Sequence, residues 1–387
     1  MVDSADDSVT ADGACTLREA IINANNDNQS GSTDCAAGSG ADVITFAADY
    51  TITLGSQLPA VTSQIAITGN GAANTIVQAN AAPNTATYRV FEVSAAGNLT
   101  LDGLTVRHGR CNDSCTTNPY NGGGIYNEGG TLTVTNSALS GNSADNGGGG
   151  IYNYSGTVTV TNSALSNNSA GYGGGIYSDN YSTVTVTNST ISGNNATSTN
   201  GGGIFNYYQS TLTVANSTFS GNSANINGGG IHNAYSGTLT VTNSTLSGNS
   251  ANNFGGGIYN NLLATMNYSN TIIANSAAGG DCSNGGTIGA NVNNLVENGS
   301  CSPTFSGDPN LGPLQDNGGP TQTHALLTGS AAIDAGNAAV CATAPVNNLD
   351  QRGVARPQGA ACDIGAYEYV DITPPVVMSI TRANTNP

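Results

Sequence analysis

The sequence predicts an all-β chain wound into a parallel β-helix of about 27 residues per coil, closed by an N-terminal amphipathic helix and a C-terminal cap. Three observations predict it. A line beginning Gly-Gly-Gly-Ile-Tyr-Asn, or a close variant, starts at Gly122, Gly148, Gly173, Gly201, Gly228 and Gly255, at intervals of 26, 25, 28, 27 and 27 residues. Each repeat holds short segments of strict apolar alternation separated by Gly, Asn and Ser turns, and no one repeat can bury an apolar face alone. Between residues 121 and 275 the charged residues are Glu128, Asp145 and Asp179, as expected where each side chain stacks on its own kind in the next coil and like charges would repel. Three segments per repeat are too few for a propeller blade, and Gly-Gly-Gly with Thr-Val-Thr-Val is poor helix.

Taken in order, residues 1–42 form an N-terminal segment and helix cap. In "CTLREAIINANN", Thr16 and Glu19 make a capping box, and Leu17, Ala20, Ile21 and Ala24 form one apolar stripe. A helix placed just before a solenoid covers its open strand edge, with Arg18 expected on the solvated face. Residues 43–120 read as irregular coils, because "VITF", "TITL", "IAIT" and "NLTLDGLTV" alternate without the glycine signature. Residues 121–275 are six regular coils. In "TLTVTNS", Leu132 and Val134 point inward, which turns Thr133 and Thr135 out; in "GGGIYN", Ile125 points in and Tyr126 out. Three asparagine ladders follow: Asn136, Asn162, Asn188, Asn216, Asn243 and Asn270; Asn142, Asn168, Asn194, Asn222, Asn249 and Asn275; and Asn127, Asn153, Asn206, Asn233 and Asn260, interrupted by Ser178. All are read as structural, through left-handed bends and amide stacking. Residues 276–369 are terminal coils and a cap, and 370–387, with Pro374-Pro375, a linker.

Composition narrows the function. The 387 residues carry 24 acidic groups against seven Arg and no Lys, a formal charge of −17. That argues against nucleic acid and against anionic membrane surfaces, and no apolar run is long enough to insert in a bilayer. The N-terminal "MVDSADDSV" lacks the basic and apolar regions of a signal peptide. The eight cysteines fall as near neighbours, Cys15 with Cys35, Cys111 with Cys115, Cys282 with Cys301 and Cys341 with Cys362, which reads as four local disulfides and an oxidising compartment. Other connectivities stay open at this level. Zinc at His108, Cys111 and Cys115 is a weaker reading, since a structural site wants four ligands.

"CTLREAI" resembles the CSLREA-type segment of bacterial exported β-helix proteins, and the "GGGIYN…LSGNSA" units resemble the repeats of polymorphic outer-membrane proteins and related right-handed β-helices. "DPNLGPLQDNGGPTQTHALLTGSAAIDAG" and "DQRGVARPQGAACDIGAYEY" resemble the choice-of-anchor Q domain of bacterial surface proteins. "VDITPPVVMSITRANTNP" is similar to the lead-in to an immunoglobulin-like adhesin module. The resemblance implies a right-handed coil, export, and a secreted or cell-surface role; it transfers no catalytic residue.

The expected function is therefore a non-catalytic adhesion or scaffolding module, with an extracellular glycan or surface protein as partner. The leading ligand surface is an exposed aromatic ladder of Tyr126, Tyr152, Tyr177, Phe205, His232 and Tyr259, large amphipathic rings on an uncharged face. The alternative face is a hydroxyl ladder of Thr133, Thr135, Thr159, Thr161, Thr185, Thr187, Thr213, Thr240 and Thr242, broken at Ala215, whose flat Thr-x-Thr array resembles those of ice-binding solenoids. A carbohydrate-active enzyme is the runner-up, because many β-helices are lyases or hydrolases. The densest mixed group for it is Arg89, Glu92, Asp102, Arg107, His108 and Arg110, read first as salt bridges. No catalytic residue, cofactor or metal is predicted. Asp334, Asp350, Arg352, Arg356, Asp363 and Glu368 read as a lock on the cap, calcium being the weaker option without a ligand loop.

Overall fold

The computed structural model describes residues 1–370 and is a right-handed parallel β-solenoid of nine turns. The linker expected over 370–387 lies, from residue 371, outside the described residues. Each regular coil visits four parallel sheets. In the second regular coil these are the aromatic sheet (Ile151–Tyr154), the threonine sheet (Thr157–Thr161), the leucine sheet (Ala164–Ser166) and a short alanine sheet (Ser169–Tyr172). The fourth was not anticipated. In later coils it shrinks to two residues, such as Asn195–Ala196, too short to show alternation.

The inward residues are the expected ones. Ile125, Ile151, Ile176, Ile204, Ile231 and Ile258 stack in register, as do Leu132, Val158, Val184, Leu212, Leu239 and Met266, all fully buried. The corners are set by residues that tolerate left-handed backbone. Asn136, Asn162, Asn188, Asn216, Asn243 and Asn270 turn from the threonine to the leucine sheet with φ between 44° and 51°. At the opposite corner the coils approach so closely that a Cβ on Gly149 would lie 2.5 Å from the Ser169 backbone nitrogen. Glycine is required there.

The other two asparagine ladders run inside the rod. Asn142 Nδ2 donates to Asn168 Oδ1 at 3.0 Å, Asn168 to Asn194 at 3.0 Å, Asn194 to Asn222 at 2.9 Å and Asn222 to Asn249 at 2.9 Å, while the backbone N–H of each also donates to the oxygen above. Asn275 leaves the series and is exposed. In the third ladder Asn127 donates to Asn153 at 2.7 Å, and Asn206 to Asn233 and Asn233 to Asn260 at 2.8 Å; at the break, Ser178 and Ser182 pair through their hydroxyls.

Helix α1, Leu17–Asn26, closes the first coil with its capping box formed and its apolar stripe on the core end. Arg18 is not solvated. Nε and Nη2 bind Asp7 at 2.9 and 2.7 Å, and the guanidinium also donates to the carbonyls of Ser56 and Gln57, tying the N-terminal arm to the second coil. The four disulfides are those expected, Cys15–Cys35, Cys111–Cys115, Cys282–Cys301 and Cys341–Cys362.

At the far end, the coil containing Thr287–Val292 and Leu295–Val296 finishes the rod, with Tyr268 donating to the Cys301 carbonyl at 2.6 Å. The chain then doubles back. Residues 306–369, including an antiparallel pair (Leu311–Gln315 with Thr323–Leu326) and helix α2 (Ala338–Ala342), lie along the outer face of the leucine sheet. Thr190 donates to the Gln322 carbonyl at 2.5 Å, Thr218 to Gln351 Oε1 at 2.7 Å, and the Ala366 N–H to Thr245 Oγ1 at 3.0 Å. Ile272 and Ala274, outward-facing on the last rungs, are buried under Leu326, Ala332 and Ile364. The C-terminal segment is thus a lateral brace on four successive coils.

The expected lock sits inside that brace. Arg356 pairs with Glu368 at 3.0 Å, both fully buried, and Arg352 with Asp350 at 2.7 Å. Asp363 accepts the backbone N–H groups of Asp334 and Tyr369. Burial holds the Asp363 carboxyl up at about 6 and also raises Glu368.

Candidate functional site

The aromatic ladder forms in register, Tyr126 beside Tyr152, then Tyr177, Phe205, His232 and Tyr259. Neighbouring rings lie 4.8–5.6 Å apart between centroids. The expectation that it is an open platform is corrected. Tyr126, Tyr152, Tyr177, Phe205 and His232 are all buried, and only Tyr259 is half-exposed. The side chains do leave the core on the outer side of the strand, but a second layer covers them. Tyr172 stacks over Tyr177 and Phe205 at 6.0 and 5.9 Å, Tyr207 packs on Phe205 at 5.1 Å, and the loop after Cys111 covers Tyr126, whose hydroxyl accepts from Asn118 Nδ2 at 2.6 Å.

Alternation tells which side of a strand a residue occupies, and cannot tell what lies over it. The covering layer was readable elsewhere: tyrosines recur just past the aromatic strand at Tyr181, Tyr207, Tyr208 and Tyr235. They sit on the turn into the threonine sheet. Tyr181, Tyr208 and Tyr235 are 61%, 41% and 55% exposed, and all three have left-handed backbone, with φ of 61°, 40° and 52°. A bulky residue held in that region is unusual.

Floor and cover leave an open cleft of about 450 Å³. Its floor is the ladder from Tyr152 to Tyr259, one wall is Tyr207 and Tyr235, and the other is Asn146, Asn200 and Asn227. Asp179 is the one carboxylate among its described lining residues. It accepts from the Tyr152 hydroxyl at 3.1 Å, and burial raises its pKa, a rise that this hydrogen bond offsets in part. His232 is no base: burial pushes it down to about 3, and neither ring nitrogen has a partner. It is a neutral member of the stack. The cleft therefore offers aromatic faces, neutral amides and one acidic acceptor, a lining suited to holding an uncharged polar chain.

The threonine face forms as expected and gains a column. Thr133, Thr159, Thr185, Thr213 and Thr240 are in register; so are Thr135, Thr161, Thr187, Ala215 and Thr242; and Thr131, Thr157, Thr183, Thr211, Thr238 and Thr265 make a third row. The break at Ala215 has a cause. Ala215 is fully buried, and next to it Asn216 donates to the Leu349 carbonyl of the C-terminal brace at 2.9 Å.

The mixed group on the irregular coils does not converge. Arg107 donates to Gln78 Oε1, His108 meets the Asn80 carbonyl, Asp102 accepts from Asn136, and Arg110 lies 3.7 Å from Asp145. Arg89 and Glu92 alone pair, at 2.9 Å. Cys111 and Cys115 are spent on their disulfide, which takes away the proposed zinc set with His108. No protein-family model matches the chain, and no curated protein matches its sequence.

Proposed function

We propose that this chain is a non-catalytic extracellular module that holds a neutral polysaccharide in the aromatic cleft, as part of a secreted or surface-attached protein. The observation that carries the reading is the cleft itself. Tyr207 and Tyr235 in its wall give sugar C–H faces apolar contact above a floor of buried rings, and three asparagines offer hydroxyls both donors and acceptors. The groove crosses several coils, so affinity is spread over weak contacts, which suits a repeating polymer. Four disulfides in sequence-local pairs support an oxidising environment, and the similarity to bacterial choice-of-anchor surface proteins supports attachment to a cell. Hydrolysis needs two carboxylates across the scissile bond, and Asp179 stands without a second in the cleft lining; a non-catalytic role is favoured over the glycosidase or lyase reading.

The test is a glycan array probed with the wild-type chain and with the Tyr207→Ser/Tyr235→Ser variant. Selective retention of neutral polysaccharides, weakened several-fold in the variant at unchanged Tm, is expected. Retention unaffected by the variant, or release of shortened products, would sink the reading.

A second reading, ice binding, is favoured by one observation. Among the described residues nothing accepts from the threonine hydroxyls of the three columns, which lie on an uncharged, regularly spaced face and are free to order a water layer. A thermal-hysteresis assay decides it; an ordinary freezing curve removes it.

A further inference from the structure

A second cavity, of about 530 Å³, opens on the irregular coils and shares no lining residue with the aromatic cleft. Ser56–Ala60 form one wall, Thr87 and Tyr88 a second, and the disulfide-closed loop Ser114–Thr117 a third. Glu92 projects into it. The register of the aromatic sheet places Glu92 directly beside Tyr126, so it takes the position of an aromatic rung one coil before the ladder begins. The residue is 95% buried, yet its hydrogen bonding is one-sided. Oε2 accepts three bonds, from Thr117 Oγ1 at 2.7 Å, Gln57 Nε2 at 2.8 Å and Arg89 Nη1 at 2.9 Å. Oε1 accepts none. Unlike Gln57 Oε1, this oxygen is not sealed from solvent, and with Oε2 fully engaged it is the one left to face the cavity that Glu92 lines.

Arg89 is what holds the carboxylate there. It is fully buried, anchored by the carbonyls of Thr117, Asn118 and Asn121, and its guanidinium carbon lies 4.8 Å from the Tyr126 ring centroid. Fixing an ion pair this deep without a compensating role is costly. Gln57 is fixed too, with its own Oε1 buried and unpartnered.

We propose that this cavity is a binding site for one unit of a neutral sugar or polyol, with a ligand hydroxyl donating to Glu92 Oε1. Charge decides between a hydroxyl and an ammonium donor. Arg89 balances Glu92, and at the neighbouring rim Arg18 balances Asp7 at 2.7 Å, so nothing here is left over to attract a cation. Hydroxyls of Ser56, Thr87 and Thr116 supply further polar contacts, and Pro59 and Ala60 an apolar patch for a sugar face. The site stands independently of the cleft and survives if the cleft binds nothing.

The experiment is saturation-transfer NMR on the full chain with a panel of methyl glycosides of neutral hexoses and N-acetylhexosamines, with methylammonium as the cationic probe. Saturable binding of at least one glycoside is expected. Glu92→Gln, which turns an amide donor toward the cavity, and Thr87→Trp, which fills the exposed mouth without touching the buried pair, should each weaken it about tenfold or more. The Tyr207→Ser/Tyr235→Ser variant should bind as the wild type does, separating this site from the cleft. The proposal is overturned if no glycoside binds, if Thr87→Trp leaves binding intact, or if methylammonium alone occupies the site.

Discussion

Asn194 and Asn188 are six residues apart, belong to equally regular ladders, and do different work. Asn194 Oδ1 accepts both the backbone and side-chain N–H of Asn168, and its own N–H groups reach Asn222 Oδ1 and the Leu165 carbonyl. Asn194→Ala strands several fully buried groups and should cost roughly 2–4 kcal/mol in urea unfolding. Asn188 is a half-buried corner residue with φ 51°, so Asn188→Ala forfeits mainly left-handed tolerance, about 1–2 kcal/mol. Thr185→Ala, on the outer face, should stay within about 0.5 kcal/mol. Equal losses at 188 and 194 would mean the two ladders are not distinct. His232 offers the opposite case: two unpartnered ring nitrogens are buried between Phe205 and Tyr259, and His232→Phe should raise stability by about 1 kcal/mol. Ladder membership was legible from the repeat for all of these residues. Which ladder faced inward was not, because Asn suits a bend and a stack alike.

At the scale of elements, legibility followed periodicity. The threonine, leucine and aromatic strands, the capping box of α1 and the cysteine pairs are local patterns, and each is where the sequence places it. The two-residue alanine strand is too short to carry a period. The brace over Thr190, Thr218 and Thr245 is a contact between segments far apart in sequence, and nothing in either segment alone announces it, whereas the cover over the aromatic ladder leaves a local trace in the tyrosines beside its strands. The brace also carries a pH dependence. Asp363 rises from an ordinary value near 3.8 to about 6 in the folded chain, so the native state holds its proton more tightly than the unfolded one. Its contribution is most favourable below about pH 4 and is lost as pH rises through 6. Hydrogen exchange or limited proteolysis of residues 306–369 should therefore speed up between pH 4 and pH 7 relative to the coils, and Asp363→Asn should flatten that trend. An unchanged profile in the variant would assign the titration elsewhere.

For the whole molecule, stacked coils make stability a sum of neighbour terms rather than one indivisible core. None of the disulfides lies within the six regular coils; they secure the helix cap, the Cys111–Cys115 loop, the terminal coil and the brace. Reduction should leave amide protection at Ile151, Val160 and Leu165 intact while residues 1–40 and 341–362 lose theirs. Global collapse on reduction would show that the ends nucleate the rod and that its middle cannot stand without them.

The backward path of residues 306–369 has a mechanical consequence. A load applied at residue 370 does not reach the terminal coil first. It enters through Tyr369 and the buried Arg356–Glu368 pair, then passes into the flank at Thr245 and Asn270. Force along the rod axis is then borne in shear by hydrogen bonds spread over four coils, whereas a rod pulled from its last strand would unzip one coil at a time. In single-molecule pulling between residues 1 and 370, the brace should yield as one high-force event before any stepwise extension of about one coil each. Pulling from a handle at Asn298, beyond the last rung and ahead of the brace, should bypass that event and begin with the steps.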